Sequence, residues 1–77
     1  MTTPEDGGPF LVIVNGEEQR VDPGTTVADL VAEVAGSPDA RGVAAALNGA
    51  VVPRGRWSVV QLGQDDRIEV LTAVQGG

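Results

Sequence analysis

The stretch Phe10-Leu-Val-Ile-Val-Asn-Gly-Glu-Glu-Gln-Arg-Val21 decides how the rest of the chain is read. Its first five residues are β-branched or large and apolar, and Asn15-Gly16 follows at once. That pair is the one best able to supply the positive φ angles of a type I′ hairpin turn. Glu17 to Val21 is then the returning strand. With a side-chain period of two, Phe10, Val12 and Val14 share one face, and Leu11 and Ile13 share the other. Apolar residues on both faces predict a central strand, flanked by more than its hairpin partner.

Towards the C-terminus, Asp22-Pro23-Gly24 ends the hairpin, and Thr26 stands at a helix N-cap with Asp29 three residues on. Val27, Leu30, Val31 and Val34 follow the i, i+3, i+4, i+7 spacing of one apolar helix stripe, with Asp29 and Glu33 turned to solvent. Gly36 supplies the C-terminal cap and Pro38 blocks continuation. Three of the four stripe residues are valine, so packing against a sheet, rather than intrinsic propensity, has to hold this helix.

Residues 37 to 42 read as a loop. Val43-Ala-Ala-Ala-Leu47 fits helix or strand on propensity alone, and the following Asn48-Gly49 decides for a second hairpin, with Ala50 to Val52 returning until Pro53. Arg54-Gly-Arg-Trp57 is an irregular crossover. Its tryptophan and arginines fit a cation–π pair or a partner patch, but the area a Trp can bury favours a core Trp beside solvated arginines.

Gly63-Gln-Asp-Asp66 is the last turn, and Arg67 to Val74 the last strand. Ile68, Val70, Thr72 and Val74 share one face, while Arg67, Glu69, Leu71 and Ala73 share the other. That second face changes from charged to apolar towards the C-terminus, so Leu71 and Ala73 are candidates for a small docking patch. Gln75-Gly76-Gly77 leaves the strand as a tail of residues able to adopt backbone conformations that others avoid. The expected organisation is a disordered extension over 1–9, a single domain over 10–74, and a flexible tail over 75–77.

Composition narrows the function. Eleven acidic residues against five basic ones, all arginine, give a net charge of −6. Nucleic acid and anionic membrane surfaces are thereby disfavoured, and a protein partner with basic patches is favoured. Without Cys, His, Tyr or Lys the chain lacks most of the groups that move protons or attack carbonyls, so it is not expected to be an independent enzyme. Neither a disulfide framework nor a thiolate metal site is available to it. The acidic pairs Glu17-Glu18 and Asp65-Asp66 adjoin turns, where solvated charge is the ordinary reading. Residues 1–9 lack the pattern of a secretory signal, and the apolar run Phe10 to Val14 is too short to span a bilayer. A soluble, cytoplasmic protein is expected.

Hairpin, helix, hairpin and final strand, with one helix covering one face of a four- or five-stranded mixed sheet and the last strand inserted parallel to the first, make an α+β fold of the β-grasp, or ubiquitin-like, kind. Residues as well as topology then point to a family. Val14-Asn-Gly-Glu17, Asp22-Pro-Gly-Thr-Thr-Val-Ala-Asp-Leu30, Val43-Ala-Ala-Ala-Leu-Asn-Gly49, Val51-Val-Pro-Arg54, Trp57, Asp66-Arg-Ile-Glu69 and Ala73-Val-Gln-Gly-Gly77 together resemble the ThiS family, the small sulfur carriers of thiamine (thiazole) biosynthesis. The resemblance spans residues 10 to 77. It departs from the family at residues 1–9, an extension, and at Asp65, where glycine is common; either Asp65 takes a positive φ or Gly63 takes over the turn.

The resemblance implies that an ATP-dependent adenylating enzyme, similar to those that activate ubiquitin, converts the Gly77 carboxylate to an acyl adenylate. Sulfur from a persulfide donor then displaces AMP, and the resulting Gly77 thiocarboxylate donates sulfur to a thiazole synthase. Gln75 and Gly76 would thread the partner's active site, and Leu71, Ala73, Val74 and Arg54 would contribute to docking. No cofactor is expected on the chain itself, since ATP belongs to the activating partner, and no metal site is expected. The sister carrier that forms the small subunit of molybdopterin synthase shares fold and tail. A ubiquitin-like modifier joined to lysines through Gly77 and an interaction module with an inert tail are the readings from other classes.

Overall fold

Both Asn-Gly pairs turn the chain as their residue types predict. Asn15 and Asn48 each have φ 52°, followed by Gly16 at 86° and Gly49 at 89°, the two successive positive angles of a type I′ turn. The computed structural model describes residues 8–36 and 42–72. Within them β1 (Phe10–Val14) pairs antiparallel with β2 (Glu17–Val21), setting Phe10 opposite Val21 and Val14 opposite Glu17. β3 (Val43–Leu47) pairs antiparallel with β4 (Ala50–Val52). β5 (Arg67–Thr72) lies between the hairpins, parallel to β1 and antiparallel to β3, so the sheet order is β2-β1-β5-β3-β4. The central position expected for β1 is therefore observed, and the sheet is a five-stranded mixed one.

A single α-helix, α1 (Val27–Ala35), packs on one face. Its N-terminus is a complete capping box: the Asp29 amide donates to the Thr26 hydroxyl at 3.2 Å, and the Thr26 amide donates to the Asp29 carboxylate at 3.0 Å. The next two exposed donors of the first turn are taken by the segment after the second hairpin. Val27 N donates to the Val60 carbonyl at 2.9 Å and Ala28 N to the Trp57 carbonyl at 3.0 Å, while Leu62 N reaches the Thr25 carbonyl at 2.9 Å. Residues 57–62 are thus a strap over the start of the helix, and they satisfy amides that would otherwise need water. Gly36, at φ 80°, ends the helix, its amide donating to the Ala32 carbonyl at 2.9 Å.

The core lies between α1 and the sheet. Val27, Leu30 and Val31 meet Val12, Val14, Val21, Ala45, Val52, Ile68 and Val70, with Trp57 and Leu62 closing the side under the strap. No buried side-chain polar atom among the described residues lacks a partner. Val34 departs from the predicted stripe, being 39% exposed. The backbone bonds of the strap reach only the start of α1, while in the last turn Ala35 still packs against the core.

Two other expectations are corrected. Arg54–Arg56 is a short 3-10 turn rather than irregular chain, closed by Arg56 N donating to the Pro53 carbonyl at 2.8 Å. Asp66 is not merely solvated charge: it is half-buried, and its carboxylate accepts from Gly63 N at 2.7 Å and from the Asn48 side-chain amide at 3.0 Å. Asp65, at φ 70°, takes the left-handed conformation of the last turn, and Gly63 does not. Of the extension expected over 1–9, residues 1–7 lie outside the described residues, as do 37–41 of the expected loop, Ala73 and Val74 of the expected last strand, and the tail over 75–77.

Candidate functional site

β5 is the element that carries the chain towards its C-terminus, and two neighbours fix it in different ways. On the β3 side the ladder runs its full length, from Leu47 opposite Ile68 to Val43 opposite Thr72. On the β1 side regular pairing covers only Ile13 opposite Arg67 and Val14 opposite Ile68. The Asn15 side chain then continues where the backbone has turned away. Its Oδ1 accepts from Val70 N at 2.9 Å and its Nδ2 donates to the Val70 carbonyl at 3.3 Å, as a peptide group in the next strand position would. Asn48 does the same at the other end of β5: its backbone amide donates to the Arg67 carbonyl at 2.7 Å and its Oδ1 accepts from Arg67 N at 2.9 Å.

The face of the sheet away from α1 carries the alternate residues of each strand. Near the end where β5 passes to residue 73, Leu71 lies opposite Ala44, and Ala46 lies opposite Val51 on the neighbouring strand. Leu71 is 66% exposed and Val51 75% exposed, so this is an apolar patch open to solvent. Glu69, opposite Ala46, puts an exposed charge beside the patch, and farther along the same face Leu11 and Ile13 are half-buried with the exposed charges of Glu18, Arg20 and Arg67 around them. Arg54 follows β4 at that same end of the sheet, because β4 runs towards the level of Val43, which faces Thr72. Its guanidinium carbon stands 5.2 Å from the centre of the Trp57 ring. Trp57 is buried and donates its indole N–H to the Val52 carbonyl at 2.8 Å. The core Trp and the cation–π pair, weighed against each other from sequence, are therefore both present.

Among the described residues no group of three or more His, Cys, Asp or Glu is placed to hold a metal ion. What the geometry provides is a rigid strand, an apolar patch beside its end, and a charged rim. Comparison with known proteins supplies the family: the model of the ThiS family matches residues 12–77. The chain belongs to the ThiS family. It is similar to the crystal structure of the thiamine biosynthesis protein ThiS from Geobacter metallireducens, with a TM-score of 0.67 and 28% identity, covering 88% of this chain and 100% of that one. It is also 39% identical over 64 residues to a thiazole synthase of Magnetococcus marinus, a match covering 83% of this chain. The chain spans 19% of the length of that curated relative.

Membership of the ThiS family agrees with the β-grasp carrier domain expected from the sequence. Of the residues expected to matter for a ThiS protein, the structure brings Leu71 and Arg54 to one end of the sheet. Ala73, Val74, Gln75, Gly76 and Gly77 lie outside the described residues. Sequence reasoning missed Val51, because a three-residue strand is too short to show an alternation, and it missed the side-chain roles of Asn15 and Asn48.

Proposed function

We propose that this chain is a sulfur carrier of thiamine biosynthesis whose reactive group is the Gly77 carboxylate. The observation that carries the reading is the family match, which runs through residue 77 and so includes the Gly76-Gly77 pair. A carboxylate is a poor electrophile. It therefore attacks the α-phosphorus of ATP in the active site of an adenylating enzyme, releasing pyrophosphate and forming an acyl adenylate. The terminal sulfur of a persulfide donor then attacks the acyl carbon, and AMP leaves. A thiol reduces the resulting acyl disulfide, is itself oxidised to a disulfide, and leaves the thiocarboxylate on Gly77.

The carrier's part in this is to dock and to present. Leu71, Val51, Ala44 and Ala46 offer the apolar centre of a docking surface, with Arg54 at its rim and Ala73 and Val74 continuing from Leu71 in sequence. Gln75 and Gly76 lead into the partner's active site, where the absence of a Cβ at Gly76 allows a close approach to the channel wall. Thiazole synthase is the favoured acceptor: a segment similar to this chain occurs within a protein bearing that name, which is the arrangement expected of a carrier that works beside it. Among the described residues no helix is long and apolar enough to cross a membrane, and we place the protein in the cytoplasm with its ATP-using partner.

Intact-mass spectrometry after incubation with ATP, the adenylating enzyme and a persulfide donor tests this directly. The expected product carries one sulfur in place of one oxygen at the C-terminus, and deletion of Gly77 abolishes it without unfolding the domain. Isopeptide-linked products would make the chain a protein modifier instead. A thiocarboxylate consumed by molybdopterin formation and not by thiazole formation would move it to the sister pathway.

A further inference from the structure

Asn15 is not among the residues the carrier reaction requires, yet among the described residues it makes the last hydrogen bonds on the β1 edge of the strand that leads to the reactive end. Beyond Ile68, β1 offers β5 no further backbone partner in the pairing register, because the chain has turned at Asn15-Gly16. The side-chain amide of Asn15 fills the next position with one accepted and one donated bond to Val70. Gly77 lies seven residues beyond Val70, a span of about 24 Å at full extension. The position of β5 at Val70 therefore bounds where a tethered C-terminus can reach, and that position is held from β3 on one edge, whose ladder continues to Thr72, and from Asn15 on the other.

We infer that Asn15 is a positioning residue for the transfer chemistry at Gly77: its amide clamps Val70 and so aims the last strand into the partner's adenylation site. The inference rests on the function proposed above. Asn15 is well suited to the task, because Asn tolerates the positive φ the turn needs and its amide is both donor and acceptor, as the two groups of Val70 demand. Asn48 provides an internal control. It occupies the equivalent place in the second hairpin, with the same φ and an equivalent bond to β5, but it clamps Arg67 at the end remote from the tail.

The consequence concerns geometry at the reacting centre more than docking. A misplacement of about 1 Å at a reacting group is enough to slow a reaction by up to about 100-fold. The docking residues Leu71 and Val51 keep their places on the sheet face when the clamp is removed, since β3 still pairs with both β5 and β4, but β5 is then held from one edge only and gains freedom to shift. Loss of the clamp should appear in the rate at saturation and not in affinity.

The experiment compares Asn15→Gly with Asn48→Gly, each of which retains the positive φ and removes one clamp. Asn15→Asp is added as a variant that keeps φ tolerance and the acceptor but loses the donor. Each folded protein is given to the adenylating enzyme with ATP, and pyrophosphate release is followed across carrier concentrations. The expected result for Asn15→Gly is a kcat lowered at least about 3-fold, within the limit set by misplacement, with an unchanged KM and faster amide exchange at Val70. Asn15→Asp should fall between it and the parent. Asn48→Gly should keep the parental kcat, even where its melting temperature falls as far as that of Asn15→Gly. Equal kcat values for the parent and Asn15→Gly, or equal losses in the two Gly variants, overturn the inference while leaving the carrier function standing. A parent chain that is never adenylated overturns both.

Discussion

Truncating Leu71 and Val51 to alanine should weaken partner binding strongly while leaving the fold almost untouched. Complete burial of a Leu or Val side chain is worth about 1.5–3 kcal/mol. Leu71 is 66% exposed and Val51 75% exposed, so most of that value remains to be realised when a partner covers them. Each truncation then removes about 1–2 kcal/mol of association energy, or about 5- to 30-fold in affinity. Ala44 and Ala46 join the two sites across β3, so the losses are coupled, and the double variant should fall short of the simple product. In the free protein neither side chain contributes to the core, and surface changes of this kind stay within about 0.5 kcal/mol, roughly 2–4 °C in melting temperature for a domain of this size. Titration calorimetry against the adenylating enzyme, paired with thermal melts followed by circular dichroism, reads both quantities. Unaltered affinity in a double variant that melts normally would refute the assignment of this face as the docking surface.

Three further outcomes follow from individual residues. Asp65→Gly should stabilise the domain by about 0.5–1 kcal/mol, because φ 70° is strained for any residue with a Cβ; a lower urea midpoint would count against this account of the last turn. Trp57→Phe should destabilise by about 2–4 kcal/mol, since the Val52 carbonyl loses its donor and the smaller ring leaves a void under the strap. Chemical denaturation followed by circular dichroism checks it, and an unchanged midpoint would mean that the strap does not depend on the indole. Leu30→Ala removes the side chain at the centre of the helix–sheet interface at a cost of about 2–5 kcal/mol. Against a total stability of about 4–12 kcal/mol for a chain of this length, this is a large share of the whole and should lower the urea midpoint markedly; an unchanged midpoint would count against the placing of Leu30 at the centre of the core.

How far the sequence reveals this molecule depends on whether each interaction is local. The two hairpins and the capped helix were legible because their signals lie within a few residues of one another. Asn-Gly sets its own φ angles, and Thr26 and Asp29 cap each other within one turn. The parallel placement of β5 beside β1 followed from layer and crossover rules, and the structure agrees. What stayed hidden depends on partners distant in sequence. Val34 reads as core by periodicity, yet it is 39% exposed, because cover by distant segments cannot be read from a helix stripe alone. Asp66 reads as a solvated turn residue, and only the approach of Asn48, 18 positions earlier, makes it a bracket.

Asn15 illustrates the boundary best, because one residue carries a local and a non-local signal at once. Its φ belongs to the turn and is readable from the Asn-Gly pair alone, whereas its bonds to Val70 cross 55 positions and exist only because β5 is inserted beside β1. A trace of the second role is nevertheless in the sequence. Asp-Gly supports a type I′ turn as well as Asn-Gly does, and this chain favours acidic residues over basic ones by eleven to five. Both of its hairpins use Asn all the same. A carboxylate accepts hydrogen bonds but donates none, and at both turns the amide is used in both senses: Asn15 accepts from Val70 N and donates to the Val70 carbonyl, and Asn48 accepts from Arg67 N and donates to Asp66. The amide at these positions is thus explained by the strand it clamps rather than by the turn it makes, and of the two clamps only the one at Val70 stands near the end that reacts.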